Sequence, residues 1–256
     1  MLSEDKNTAE INEIDIENEP PYKRYPRFQD WMFRLVLFLV GFLVLDIFTL
    51  IVQVIIQLLN PNLVDSTSEF YVTGLAIINT IRYTVLVLVF VAMLFPRLGI
   101  IFKKFLNLKK FGIGIGMGAA TIFATAVYGI ILHFVMPVET NNNEVLAESM
   151  IKVYPIVSIV VLGIIGPFCE EVTYRYGLFG CINKKNRILA YIITILVFSL
   201  IHFDFTGNMR VELLNLPSYL IAGFLLTFTY ERFGFEASVI AHITNNLFSI
   251  IVTIYS

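Results

Sequence analysis

The chain reads as an all-α, polytopic bundle of about seven (six to eight) membrane-spanning helices, and three observations predict it. Of 256 residues, 57% are hydrophobic and only 15% charged, against roughly 45–50% apolar and 25% charged in soluble domains. Mean hydropathy is +0.77. Apolar stretches recur at 31–58, 71–95, 111–136, 153–182, 188–203, 217–230 and 237–255, and most reach the roughly 20 residues that cross a bilayer as helix. Those at 188–203 and 217–230 are shorter, so their helices are expected to borrow turns from the flanking loops. A net charge of −2 gives no reason to expect a nucleic-acid partner. The lipid bilayer is the partner the composition requires.

Residues 1–20 carry seven acids and one base, Lys6, and a basic patch of Lys23, Arg24, Arg27 and Arg34 follows. Residues 1–30 are expected to form a disordered acidic and basic tail. They lack the basic n-region and apolar core of a cleavable signal peptide. Residues 31–140 then read as accessory transmembrane helices, and 150–255 as the core that carries the chemistry. Asp46 and Arg82, charges on separate early spans, are candidates to pair across helices. The third span opens with Gly112, Gly114, Gly116 and Gly118. These make two overlapping small-xxx-small pairs suited to close helix packing. They miss the dinucleotide spacing, and no phosphate-binding lysine motif follows. His133, near the far end of that span, reads as interfacial. Cys169 and Cys181, twelve residues apart on one helix, would stand roughly 18 Å apart, too far to bond.

Lysine and arginine positions set the orientation. With the N-terminus cytoplasmic, fourteen of the 18 Lys and Arg fall on inside segments, against Lys152 and Arg210 outside and Arg82 and Arg175 within spans. The chain is therefore expected to lie N-in and C-out as a multi-pass protein of the cell membrane. Its compactness and the lack of a eukaryotic targeting signal point to a bacterial plasma membrane. No internal repeat is visible.

Three helices offer polar groups in apolar surroundings, where an ionisable side chain is costly and marks function. The fourth span carries Glu170 and Glu171 with Arg175; Glu171 and Arg175 are i,i+4 neighbours able to pair, while Glu170 points about 100° away. Gly166-Pro167 just upstream is expected to loosen the helical ladder and admit water. The next span carries Phe198 and His202, and the last His242 and Asn246, again i,i+4. Asn79 and Asn245 read as interhelical hydrogen-bonders. A desolvated carboxylate near two imidazoles can hold and deprotonate a water, and an asparagine amide with a second histidine can stabilise an oxyanion. Spans four, five and seven are expected to line a cleft open to the cytoplasm.

The succession Glu-Glu-x-x-x-Arg, Phe-x-x-x-His and His-x-x-x-Asn, each in a late apolar span, resembles the CPBP family of CAAX-type prenyl endopeptidases and bacteriocin-processing or immunity proteins. The resemblance covers roughly residues 150–250. It implies a CPBP-like catalytic core in which Glu170 activates water with help from His202. It further implies that His242 and Asn246 stabilise the oxyanion, while Glu171 and Arg175 support the site. One departure is Tyr176, which separates Arg175 from Gly177 where the family commonly has glycine directly after the arginine.

The expected function is therefore intramembrane endopeptidase action on a membrane-associated or lipophilic peptide or protein. The alternative is a non-catalytic bacteriocin-immunity or regulatory membrane protein; a proton- or ion-coupled transporter would show the repeats that are missing. The metal question stays open at this point. Glu170, His202 and His242 match the ligand count of catalytic zinc, as a metalloprotease would require, yet the HExxH helix is missing. No cofactor is committed to, zinc being the one these residues would hold.

Overall fold

The computed structural model describes residues 30–136 and 139–256. The expected tail, with Lys23, Arg24 and Arg27, lies outside them apart from its last residue. Among the described residues six helices are long and apolar enough to cross a membrane: α1 (Trp31–Leu59), α2 (Tyr71–Phe105), α3 (Leu108–Val135), α5 (Pro155–Asn183), α7 (Met209–Phe233) and α8 (Phe235–Tyr255). Between them lie α4 (Asn142–Val153) and the shorter apolar α6 (Arg187–Leu200). No strand occurs among the described residues. The all-α polytopic expectation is borne out.

Two expectations about length come out differently. The stretch around 217–230 does borrow turns, running from Met209 to Phe233 with Pro217 inside it. The stretch at 188–203 does not. Its helix has 14 residues, about 21 Å against a hydrocarbon core of about 30 Å. It stops at Leu200, so His202 sits in the turn that follows rather than on a helix.

The buried centre is α5, whose residues Glu170–Gly180 are almost wholly enclosed by its neighbours. Its helix is irregular for a covalent reason. Pro167 has no N–H, and the N–H of Gly166 bonds back to Val161, so Val161–Ile165 forms a π-turn. A second π-segment spans Glu171–Phe179. The loosening expected around Gly166-Pro167 is thus present as widened turns, a form that recurs at functional sites.

Small residues set the close approaches. A Cβ on Gly114 would come within 2.6 Å of Ile240, and one on Gly118 within 2.7 Å of the Ala241 carbonyl, so one of the two glycine pairs seats α3 against α8. Gly112 and Gly116 have nothing within 4 Å and take no part. Gly234, at φ +100°, makes the left-handed turn between α7 and α8 that other residues resist. Cys169 and Cys181 are both free thiols. Near the basic loops, Arg187 clamps Glu231 with bonds of 2.6 and 2.9 Å, and Lys110 pairs with Glu236.

This packing predicts a contrast. Gly118→Val should cost about 1–3 kcal/mol through overpacking, whereas Gly112→Val should be close to neutral because its face is open. Thermal unfolding of both variants in one lipid mixture checks the difference.

Candidate active site

The two glutamates part company, as their 100° separation requires. Glu171 is fully buried and saturated with donors. Arg175 Nη1 reaches its Oε1 at 2.8 Å, His242 Nδ1 reaches the same oxygen at 2.9 Å, and the Ser238 hydroxyl donates to Oε2. The expected Glu171–Arg175 pair is present. Arg175, also fully buried, lies with its guanidinium carbon 4.1 Å from the Phe198 ring centroid.

Glu170 faces the other way, into a cavity of about 340 Å³. Its Oε1 accepts the Tyr83 hydroxyl at 2.8 Å, and its Oε2 lies 3.8 Å from His242 Nε2. Because the Glu171 carboxylate beside Arg175 can only accept, His242 must present Nδ1–H to it. Nε2, the other ring nitrogen, is turned towards Glu170 across a gap too long for a direct hydrogen bond.

His202 lines the same cavity. Its Nδ1 is 2.8 Å from the Phe198 carbonyl, so it donates there and Nε2 is an acceptor. The ring stacks on Tyr219 at 4.7 Å and contacts Phe198 at 5.0 Å. Phe198 also touches His242, at 5.9 Å, so this ring spaces the two imidazoles. Asn246 also lines the cavity, but one of its amide hydrogens goes to the Leu162 carbonyl at 3.0 Å. That carbonyl belongs to the π-turn. Pro167 has no N–H for it and Gly166 has given its own to Val161, so the asparagine serves the carbonyl the proline left unpaired. Asn79 and Asn245 are corrected: Asn79 bonds to Leu75 one turn back on its own helix, and Asn245 to Asn246 next to it.

The cavity lies at the opposite end from the one expected. Its lining includes Gln53, Leu75 and Asn79 from the halves of α1 and α2 nearest residues 60–70, Asn143, Leu146, Ala147 and Met150 from α4, and His202 after α6. The basic loops around 97–110 and 184–187 contribute nothing. The expectation of a cytoplasmic opening is therefore corrected: under the N-in orientation the cavity extends towards the outside. Its rim is latched by polar bonds. Asn142 donates to Asp204 at 2.6 Å, Glu212 accepts from the backbone of Asn142 and Asp204, and Tyr219 accepts from Asn141 at 3.0 Å. Hydrogen bonds from Thr206 and Asn142 hold the Asp204 carboxyl below the usual range, while burial pushes that of Glu144 up.

Sequence reasoning missed Tyr83, Ser238 and Tyr219, which hold Glu170, Glu171 and His202. None belongs to a motif; only the intramembrane Arg82 next door drew attention to the Tyr83 turn. Arg82 and Asp46 share the cavity wall but make no ion pair within 4 Å among the described residues. Zinc does not fit this arrangement. No three His, Cys, Asp or Glu groups converge as a metal site among the described residues.

Fold and site together define a polytopic helical membrane protein with a buried carboxylate–imidazole centre. Residues 152–248 match the family model Rce1-like, described as type II CAAX prenyl endopeptidase Rce1-like, which bears out the CPBP resemblance over the segment carrying the motifs. UPF0177 protein YxdF of Lactococcus lactis is 38% identical over 89 residues, 34% of this chain and 45% of its own. UPF0177 protein YvdC of the same organism is 24% identical over 140 residues, 54% of this chain and 51% of its own. YdiL of Bacillus subtilis, provisionally named a membrane peptidase, is 28% identical over 135 residues, 51% of each chain. The chain thus spans about half the length of these curated relatives. No solved structure matches it.

Arg175→Met should cost about 3–5 kcal/mol by stranding the buried Glu171 charge. Pairing it with Glu171→Gln should recover much of the loss. Thermal unfolding of the single and double variants tests this, and equal losses would contradict it.

Proposed function

We propose that the protein is an intramembrane endopeptidase that hydrolyses a peptide bond of a membrane-associated or lipophilic peptide or protein, with Glu170 as general base. The observation that carries this reading is the facing pair of Glu170 Oε2 and His242 Nε2, 3.8 Å apart. That separation suits a water between them, held for deprotonation by Glu170. His202 lines the same cavity. Glu170 takes one proton as the water oxygen adds to the carbonyl carbon. The carbon–nitrogen bond then breaks, and the proton passes to the leaving amine. The match to a CAAX endopeptidase family supports the reaction class. Substrate identity stays at the level of a peptide.

The positive-inside bias supports an N-in orientation in a bacterial plasma membrane, and with it entry from the non-cytoplasmic side. A peptide reaching Glu170 would pass between α4 and the turn after α6.

The test uses purified protein in lipid vesicles with a library of apolar peptides, wild type beside Glu170→Gln and His202→Ala. Wild type should cleave. Loss of the base should lower kcat by about 10²–10⁴-fold, with unchanged thermal unfolding. Full activity in Glu170→Gln would remove Glu170 as the base, and no cleavage by wild type would end the hydrolytic reading and favour a binding or immunity role.

A further inference from the structure

We infer that Asp46 and Arg82 form a subsite for the backbone of the substrate. Asp46 accepts the N–H, and Arg82 donates to the C=O, of one residue of an extended peptide. The inference deepens the hydrolytic reading above and rests on it. A helical segment ties up its carbonyls in its own hydrogen bonds, so a peptide bond is open to attack only where the chain is unwound. Unwound backbone at membrane depth must find its polar partners in the protein.

The cavity holds polar groups that the catalytic centre does not use. Arg82 sits with its guanidinium 4.6 Å over the Tyr83 ring. Its one hydrogen bond among the described residues is long, 3.4 Å from Nη2 to the Tyr83 hydroxyl, and Nε is buried without a partner. Asp46 lies on a π-turn of α1, Val44–Phe48. It acts on Arg82 electrostatically, yet its carboxylate makes no ion pair within 4 Å among the described residues. A third group joins them from α5. Tyr174 is fully buried, its hydroxyl has no partner, and it lines the same cavity within electrostatic reach of both Asp46 and Glu170. Buried polar groups are normally paired inside the fold. These three are gathered on one cavity, where a ligand can complete them.

Their placement selects the ligand. Since α1 and α2 run antiparallel, Asp46 stands about 20 Å and Arg82 about 16 Å along their helices from the loop that joins them. An acceptor thus faces a donor at nearly one level. A carboxylate ligand would bond Arg82 but be repelled by Asp46, and an ammonium group would meet the reverse. A residue in extended conformation presents its N–H and its C=O to the same edge of the strand, so it satisfies both. Gln53 lines the cavity too, about 10 Å further towards the mouth on the same face of α1. Its amide, both donor and acceptor, suits a residue further along that edge. The peptide therefore lies along α1 and α2 and ends at Glu170, which Tyr83 ties to the Arg82 turn through its 2.8 Å bond.

The experiment measures binding to the full chain in lipid vesicles in the Glu170→Gln background, where turnover does not consume the probe. An apolar peptide selected from the library is compared with its backbone-ester analogues, each lacking one N–H, and its thioamide analogues, each with one weakened C=O acceptor. One residue should emerge at which the ester binds about ten- to a hundredfold more weakly. Asp46→Leu should abolish that ester penalty, and Arg82→Met the thioamide penalty at the same residue, with penalties elsewhere unchanged. Each variant is its own reference, because partial unfolding lowers amide and analogue alike and leaves their ratio. Any of four results would overturn the proposal: no penalised residue, penalties that persist in full in Asp46→Leu or Arg82→Met, responses to the two variants at distant residues, or no library peptide bound. The two readings fail separately. Penalties that respond to both variants in a protein whose wild type cleaves nothing keep the subsite and remove hydrolysis. Cleavage by wild type with unresponsive penalties removes the subsite alone.

Discussion

The site depends on keeping one carboxylate charged where water cannot reach it. Glu171 is taken wholly out of solvent, a transfer that costs several kcal/mol for an ion even after the protein relaxes. It persists because a cation on its own helix and two donors from α8 meet it together. The consequence reaches beyond stability. An ionised Glu171 can only accept, so the imidazole touching it must present Nδ1–H there, and Nε2 is turned towards Glu170. The ion pair thereby sets the orientation of the ring beside Glu170. Arg175 is also pinned against Phe198, the ring that spaces the two imidazoles. Ion pair, ring orientation and ring spacing form a single constraint.

Backbone irregularity is the second half of that design. A regular α5 would satisfy its own carbonyls and leave Asn246 without an anchor. Pro167 prevents this by lacking an N–H, and the widened turn before it exposes the Leu162 carbonyl to α8. Gly166 contributes by what it omits. A Cβ there would meet the Tyr83 ring at 3.2 Å, so the bare glycine is what lets the phenol lie close enough to bond Glu170. The Gly-Pro pair thus serves two contacts on different helices, one to the asparagine and one to the tyrosine.

What the sequence made legible follows from which constraints are local. An intramembrane Glu-Glu-x-x-x-Arg announces itself because charge in lipid is costly, and its i,i+4 pairing needs no tertiary knowledge. The approach of α8 was readable from His242 and Asn246 for the same reason. Tyr83 was not, because a tyrosine in an apolar helix costs little and carries no spacing signal. The split of glycine pairs in α3 was equally hidden: both have the same pattern, and only the rotation of α3 against α8 selects Gly114 and Gly118. Tyr176 shows how a departure from a family pattern is absorbed. Its ring packs under Arg34 at 4.5 Å and its hydroxyl accepts from Arg97 at 2.9 Å. The close approach it would have blocked is taken one residue later by Gly177, where a Cβ would sit 3.0 Å from the Phe38 nitrogen.

The direction of the cavity has its cause in the length of α6. A helix of about 21 Å cannot cross a core of about 30 Å, so residues 201–208 begin below the level at which neighbouring helices end. Irregular backbone at that depth is tolerated only where protein or a water-filled cavity meets it, and here protein groups meet it. The His202 N–H goes to the Ser199 carbonyl and the Gly207 N–H to Asp204, while the Asp204 N–H goes to the buried Glu212 at 3.2 Å. The short helix therefore creates a polar recess beneath α4, and His202 stands at its floor beside the cavity that Glu170 lines. A full-length α6 would have carried His202 inside a regular helical turn. The truncation instead leaves it in a turn beside the cavity that Glu170 lines.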